Sequence, residues 1–197
     1  TFDDALAAAW ASTIASEFAK KGATVLLGPG LNVARVPVNG RNFEYCSGED
    51  PYLGARMASA IIPAIQSQHV IATAKHYVLN NQETGRIGAD SIIDERTWRE
   101  IYLPPFESAV AHGALAAMCS YNRITLSNVT AWACEHPITL KYLKERASLF
   151  VMSDWLATHS TEAIVEGLDQ EMPSSLYFGS KLRQAVEAGV IDEATID

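Results

Sequence analysis

Asp154 closes the run Phe150-Val151-Met152-Ser153 and precedes Trp155. A carboxylate directly after an apolar, strand-like run projects into whatever cleft the strand ends enclose. The adjacent indole offers a flat apolar surface suited to the face of a sugar ring. The same position also suits a helix N-cap, whose carboxylate accepts from backbone N–H groups at a strand–helix junction. Lys75 and His76 follow Val70–Ala74 in the same manner. They can donate to hydroxyls or to a carboxylate, or stand as a surface lysine and a satisfied histidine. Arg41 lies in Gly40-Arg41-Asn42-Phe43-Glu44. Its planar fork of donors suits adjacent hydroxyls or a carboxylate, or braces the loop through an ion pair with Glu44 or Glu49. Tyr121 and Arg123 follow a further apolar run, Leu115–Ser120.

Other chemistries have no residues to run them. There is no Gly-x-Ser-x-Gly elbow and no phosphate-binding glycine loop. No His/Cys/Asp set has the spacing of metal ligands, so neither metal nor cofactor is expected. Cys46, Cys119 and Cys134 match neither a zinc pattern nor a Cys-x-x-Cys pair. Their odd number predicts no disulfide framework, and Cys119, inside an apolar run, is expected as a buried free thiol. Carboxylate chemistry is what remains.

These residues must be positioned by regular elements. Apolar residues at Leu6, Trp10, Ile14 and Phe18 predict one face of an amphipathic helix over 3–21, ended by Gly22. A strand is expected at Thr24–Leu27, then a long Gly/Asn/Arg-rich loop from Leu31 to Pro51, of a length that is usually functional. Helices are expected at 51–66, 94–112 (interrupted at Pro104-Pro105), 137–146, 161–167 and 182–188. Strands are expected at 70–74, 115–120 and 149–153, with a further short one at 168–172. Strand and helix alternate, which implies parallel strands joined by helical crossovers. The strands are apolar throughout, as doubly covered strands should be. The chemically active residues recur at strand C-termini, where a (β/α)8 barrel carries its site. About five strands are counted, so an α/β fold with an incomplete (β/α)8 barrel over residues 1–197 is expected.

The chain has 197 residues, of which 48% are hydrophobic, enough for one sizeable core. Its formal charge of −8 argues against nucleic acid and anionic membranes as partners and fits a neutral or cationic small molecule. No apolar stretch reaches the roughly 20 residues of a membrane span. Thr1 begins no signal peptide, and the chain opens directly on a helical pattern, so its true N-terminus is expected upstream.

Several blocks together resemble the barrel domain of family 3 glycoside hydrolases. They are Gly28-Pro29-Gly30-Leu31-Asn32, Gly40-Arg41-Asn42-Phe43-Glu44-Tyr45, Ala74-Lys75-His76-Tyr77, Asn80-Asn81-Gln82-Glu83, Asp94-Glu95-Arg96, Met118-Cys119-Ser120-Tyr121-Asn122, Val151-Met152-Ser153-Asp154-Trp155 and Gly167-Leu168-Asp169. They follow the family's order along essentially the whole chain. The resemblance implies a retaining β-glucosidase-type enzyme acting on a β-glucoside or β-linked oligosaccharide. Asp154 matches the nucleophile that carries a covalent glycosyl intermediate. Arg41, Lys75 and His76 match residues that hold sugar hydroxyls. Tyr121 matches an aromatic residue beside the nucleophile, and Trp155 a tryptophan lining the sugar site. In the branch that this chain resembles, the acid/base glutamate comes from a following α/β sandwich domain. That domain and the early barrel strands are absent from these residues. The resemblance points to a secreted, extracellular or periplasmic enzyme. β-Xylosidase or α-arabinofuranosidase activity, and a non-catalytic sugar-binding derivative, stand as alternatives. Three features depart from the family pattern: a shortened segment before Val151, a longer glycine-free stretch over Ile124–Trp132, and Leu156 where glycine is usual.

Overall fold

The computed structural model describes residues 2–196. Helix α1 (Asp4–Lys20) begins where the Asp3 carboxylate accepts the Leu6 N–H, and is followed by Gly22 at φ +79°. Strand β1 (Val25–Leu26) leads into the long loop, which contains one 3₁₀ turn at Asn42–Glu44. Helix α2 (Pro51–Gln66) has Asp50 as its cap and Pro51 in its first turn, where a missing N–H costs nothing. β2 (Ile71–Tyr77) and β3 (Asp90–Ile93) follow, then α3 (Glu95–Thr97). A wide π-type turn over Trp98–Tyr102 joins α3 to α4 (Pro104–Ala111). β4 (Ala116–Cys119), β5 (Arg123–Leu126), β6 (Val129–Trp132), α5 (Pro137–Arg146) and β7 (Phe150–Ser153) come next. α6 (Ala163–Glu166) and α7 (Ser180–Glu187) complete the described chain.

β1, β2, β4 and β7 form one parallel sheet in that order. The order follows the chain without reversal, and α1, α2 and α4 pack successively against one another. A doubly wound sheet would reverse at a switch point. The fold is α/β, with parallel strands and helical crossovers wound one way, as in an arc of a (β/α)8 barrel. Alternation along the strands sorts the two faces. Ala117, Cys119 and Val151 join the large core shared with the helices, and Ala116, Met118 and Met152 form a smaller cluster with Val25, Ile71 and Met172.

Several expectations need correction. On α1 the buried residues are Ala7, Ala11 and Ala15, which allow close approach to α2, whereas Leu6 and Trp10 are more than half exposed. The 3.6-residue period was right, but the small side chains mark the packed face. β2 runs on to Tyr77, so Lys75 and His76 lie within it. The stretch after Tyr121 holds a hairpin, β5–β6, turned through Ser127 and Asn128, both at positive φ. These two residues supply the conformations for which two-residue hairpins usually take glycine. Residues 168–172 contribute a single bridge, Gln170 to Met152, so among the described residues the main sheet has four strands.

The cysteine reading is also corrected. Cys119 and Cys134 form a disulfide with Cα atoms 5.2 Å apart, and Cys46 is the free thiol. The hairpin returns the chain so that Cys134, two residues after β6, meets the end of β4. Neither Cys spacing nor parity carries that information.

Candidate active site

The loop after β1 is folded back onto the end of β2. Gly30 bridges to both Tyr45 and Lys75, and a Cβ there would meet the Tyr45 ring at 2.7 Å, so only glycine fits. Ser47 Oγ donates to Leu31 O and Cys46 N to Gly30 O. These contacts bring Arg41, Glu44 and Tyr45 over Lys75 and His76. The register of β2 on β4 shifts between Lys75 and Tyr77, leaving His76 as the extra residue of a bulge, a device that re-aims a side chain. The His76 N–H is held by Asn32 Oδ1 at 2.7 Å.

Asp154 arrives at the neighbouring strand end. β4 and β7 pair in register from Ala116–Phe150 to Cys119–Ser153. Asp154 N then donates to Cys119 O at 3.0 Å, and Asp154 Oδ1 accepts from Trp155 N at 2.8 Å. Leu156, at φ +66°, takes up a left-handed conformation that explains why glycine suits that position.

The cluster that results is compact. Arg41 makes a two-pronged ion pair with Glu44 at 3.1 and 2.7 Å, and its Nη2 lies 3.0 Å from His76 Nε2. Tyr45 Oη is 3.2 Å from His76 Nδ1. Lys75 Nζ is 3.5 Å from Glu44, and Glu83 is 3.9 Å from Arg41 and 2.5 Å from Arg86. Asp154 Oδ2 is 3.4 Å from His76 Nε2. That nitrogen faces Arg41, which can only donate, so the contact with Asp154 is a lone pair beside a carboxylate and not an ion pair. Asp154 Oδ2 is buried and has no hydrogen bond of ordinary length and angle. The Tyr121 hydroxyl is near enough to favour the ionised carboxylate.

Electrostatics divide the cluster. Burial, then the charges of Arg41, Lys75 and Arg86, push His76 down to about 2, so its ring is neutral. Burial raises Asp154, against the Trp155 N–H, Tyr121, Arg41 and Arg86. Burial pushes Glu44 up, but the hydrogen bond and charge of Arg41 with the charge of Lys75 outweigh it, and its pKa is lowered. Burial and then Asp154 raise Tyr121 to about 12. The site therefore presents one uncommitted carboxylate oxygen among cations and fixed donors. Among the described residues no group of three or more His, Cys, Asp or Glu side chains is arranged to hold a metal ion.

Arg41, Lys75, His76, Tyr121 and Asp154 come together as their spacing at strand ends suggests. Arg41 pairs with Glu44, as the loop-bracing reading expects, and also contacts His76. Trp155 is 58% exposed, and its backbone N–H donates to Asp154. Asn32, Tyr45, Glu83 and Arg86 belong to the cluster and were not singled out as site residues. The first two lie in the long loop and the last two in the polar stretch after β2, so loop length and polarity were the available signal.

The model described as the glycosyl hydrolase family 3 N-terminal domain matches residues 1–197. A beta-glucosidase from Rhizobium radiobacter is 48% identical over 182 residues, covering 89% of this chain and 22% of the relative. An exo-alpha-(1->6)-L-arabinopyranosidase from Bifidobacterium longum is 41% identical over 188 residues, covering 93% of this chain and 24% of the relative. The crystal structure of DesR, a beta-glucosidase from Streptomyces venezuelae in complex with D-glucose, superposes with a TM-score of 0.93 at 37% identity, over 99% of this chain and 26% of that one. The chain spans about a quarter of the length of the proteins it matches.

Proposed function

The chain belongs to glycoside hydrolase family 3, and on that premise we propose that it is part of the catalytic barrel of an enzyme hydrolysing terminal β-D-glucosidic bonds with retention. Asp154 Oδ2 attacks the anomeric carbon as an acid donates a proton to the departing oxygen. The glycosyl ester on Asp154 is then hydrolysed by water activated by the same acid/base. Arg41, Lys75 and His76 hold hydroxyls of the sugar, Tyr121 steadies the nucleophile, and Trp155 forms an open aromatic wall. The observation that carries this reading is the buried Asp154 oxygen left without a hydrogen bond amid cations and fixed donors.

A proton donor is not evident in the cluster. Glu44 is held ionised by Arg41 and Lys75, and Glu83 is tied to Arg86 and Asn80. Glu171 accepts from the N–H groups of Leu176, Tyr177 and Phe178, a structural task. We therefore place the acid/base outside these residues, in a following domain of the same polypeptide, with the remaining barrel strands supplied by the same chain.

The test is covalent trapping. The complete gene product is treated with an activated 2-deoxy-2-fluoro-β-glucoside and its peptides are mapped. Label on Asp154 is expected, and label on another carboxylate overturns the assignment. Glucose binding with no label supports the sugar-binding derivative. The arabinopyranosidase relative favours a second substrate reading. Aryl α-L-arabinopyranoside, β-xyloside and α-arabinofuranoside are compared with the β-glucoside by kcat/KM, and the glucoside is expected to lead.

A further inference from the structure

Arg86 has no part in the reaction described above, yet it is held firmly beside it. It lies in the turn after β2, where Arg86 N donates to Glu83 O and Gly85 takes φ +67°. Its guanidinium is anchored by Glu83 at 2.5 Å, and Glu83 is fixed in turn by Asn80 Nδ2 at 3.1 Å and lies 3.9 Å from Arg41. So restrained, the guanidinium carbon sits 4.0 Å above the centre of the Tyr121 ring. A cation on a ring face both attracts the ring and restricts its rotation. We infer that Arg86 is a positioning residue that clamps the Tyr121 ring, and so holds the Tyr121 hydroxyl against Asp154 in the orientation that glycosyl transfer needs. This rests on the reading of Asp154 as nucleophile.

Glu83 gives the clamp its place. A carboxylate shared between Arg41 and Arg86 keeps the two cations from repelling one another and ties the turn to the loop that carries the sugar-binding arginine. The groups facing Asp154 are His76 on β2, Arg41 and Tyr45 in the loop after β1, Tyr121 after β4 and Arg86 in this turn. His76 is neutral, so Arg41 and Arg86 are the charges that favour the ionised nucleophile. Removing one of them moves the acidic limb of kcat/KM to higher pH.

The experiment is a double-mutant cycle on the complete gene product, reading the rate of glycosylation by an activated aryl β-glucoside. Arg86→Gln keeps a planar group without the charge, Arg86→Lys keeps the charge without the planar fork, and each is combined with Tyr121→Phe. Arg86→Gln is expected to lower kcat about three- to thirtyfold, the scale of a cation–ring contact, with KM changed less than kcat. Its acidic limb should rise, while that of Arg86→Lys stays near wild type. In the Tyr121→Phe background the effect of Arg86→Gln on kcat should largely vanish. Full additivity of the two substitutions, or an Arg86→Gln rate equal to wild type, overturns the clamp. If Arg86→Gln does not fold, the cycle is run with Arg86→Met, which also removes the cation and where additivity is equally fatal. Fluoroglucoside labelling of each variant separates this failure from failure of the nucleophile assignment, which would show as label away from Asp154.

Discussion

Because Arg41 only donates, its contact with His76 Nε2 puts the ring proton on Nδ1, facing Tyr45. A neutral, oriented imidazole buried among cations serves as a fixed polar group and not as a proton carrier. With a folded pKa of about 2 against roughly 6.5 unfolded, the native state resists protonation, so stability is intact above pH 6.5 and lost as pH falls below it. Chemical denaturation at stepped pH is expected to show this loss, up to about 1.4 kcal/mol per pH unit from this one group. His76→Gln should remove that share, leaving the smaller contributions of His136 and His159, which burial also lowers. Asp154 has the opposite sign. Its raised pKa favours the folded chain below the unfolded carboxyl value, and the benefit is lost as pH rises through the folded value. At neutral pH the ionised group is a cost. Asp154→Asn should therefore raise the melting temperature while lowering turnover by more than about 10⁴-fold, the scale seen when a reacting residue is removed. A variant that is both inactive and less stable would contradict this account.

At the scale of elements, the strand ends are tied together from behind the site. The Cys119–Cys134 bridge joins the end of β4 to the residues after the β5–β6 hairpin, closing a sequence separation of 15 residues. Cys119 O is also the acceptor for Asp154 N, so the bridge and the nucleophile share one residue. Loop closure of that size is worth about 3 kcal/mol, chiefly by restricting the unfolded chain. Replacing both cysteines by alanine should lower unfolding free energy by roughly that amount, measured under non-reducing conditions. The loss should shrink when wild type is fully reduced before the comparison. The edge of β7 is held differently: Asp169 accepts from Val151 N at 2.7 Å and from Lys144 at 2.6 Å, and Asp169 N returns a bond to Val151 O.

The molecule as a whole has a groove with nothing in the described residues to fill it. Trp10, Ile14, Leu26, Leu27 and Ile61 line a space of about 280 Å³ beside β1, an end strand of the four-stranded sheet. Apolar surface next to unpaired strand groups favours association. Residues 1–197 produced alone are expected to self-associate in sedimentation measurements, and Leu27→Lys or Trp10→Glu should shift them toward monomer. The same substitutions in the complete gene product should be destabilising, since we propose that further barrel elements cover this groove there. A monodisperse, monomeric chain 1–197 that does not bind a hydrophobic dye would count against that packing.

Local pattern determined a good deal here. The ends of α2 and α5 were legible because Asp50-Pro51 and His136-Pro137 mark where a helix can begin, whatever packs on it later. The alternation of apolar strands and helices already implied a parallel sheet, and the polar residues at strand ends located Asp154, Lys75 and His76. The same pattern pointed to Tyr121, and a donor fork in the long loop pointed to Arg41. What the sequence could not decide depends on segments distant in the chain. Which face of α1 is buried follows from how closely α2 approaches, so the alanines pack inward and Trp10 does not. The cysteine pairing depends on a hairpin whose turn residues carry no glycine. The protonation of His76 depends on burial beneath Arg41, Lys75 and Arg86, contributed by two loops and a strand. The seat of Arg86 over Tyr121 joins residues 35 apart in the chain, and only the closed arrangement of strand ends brings them within 4.0 Å.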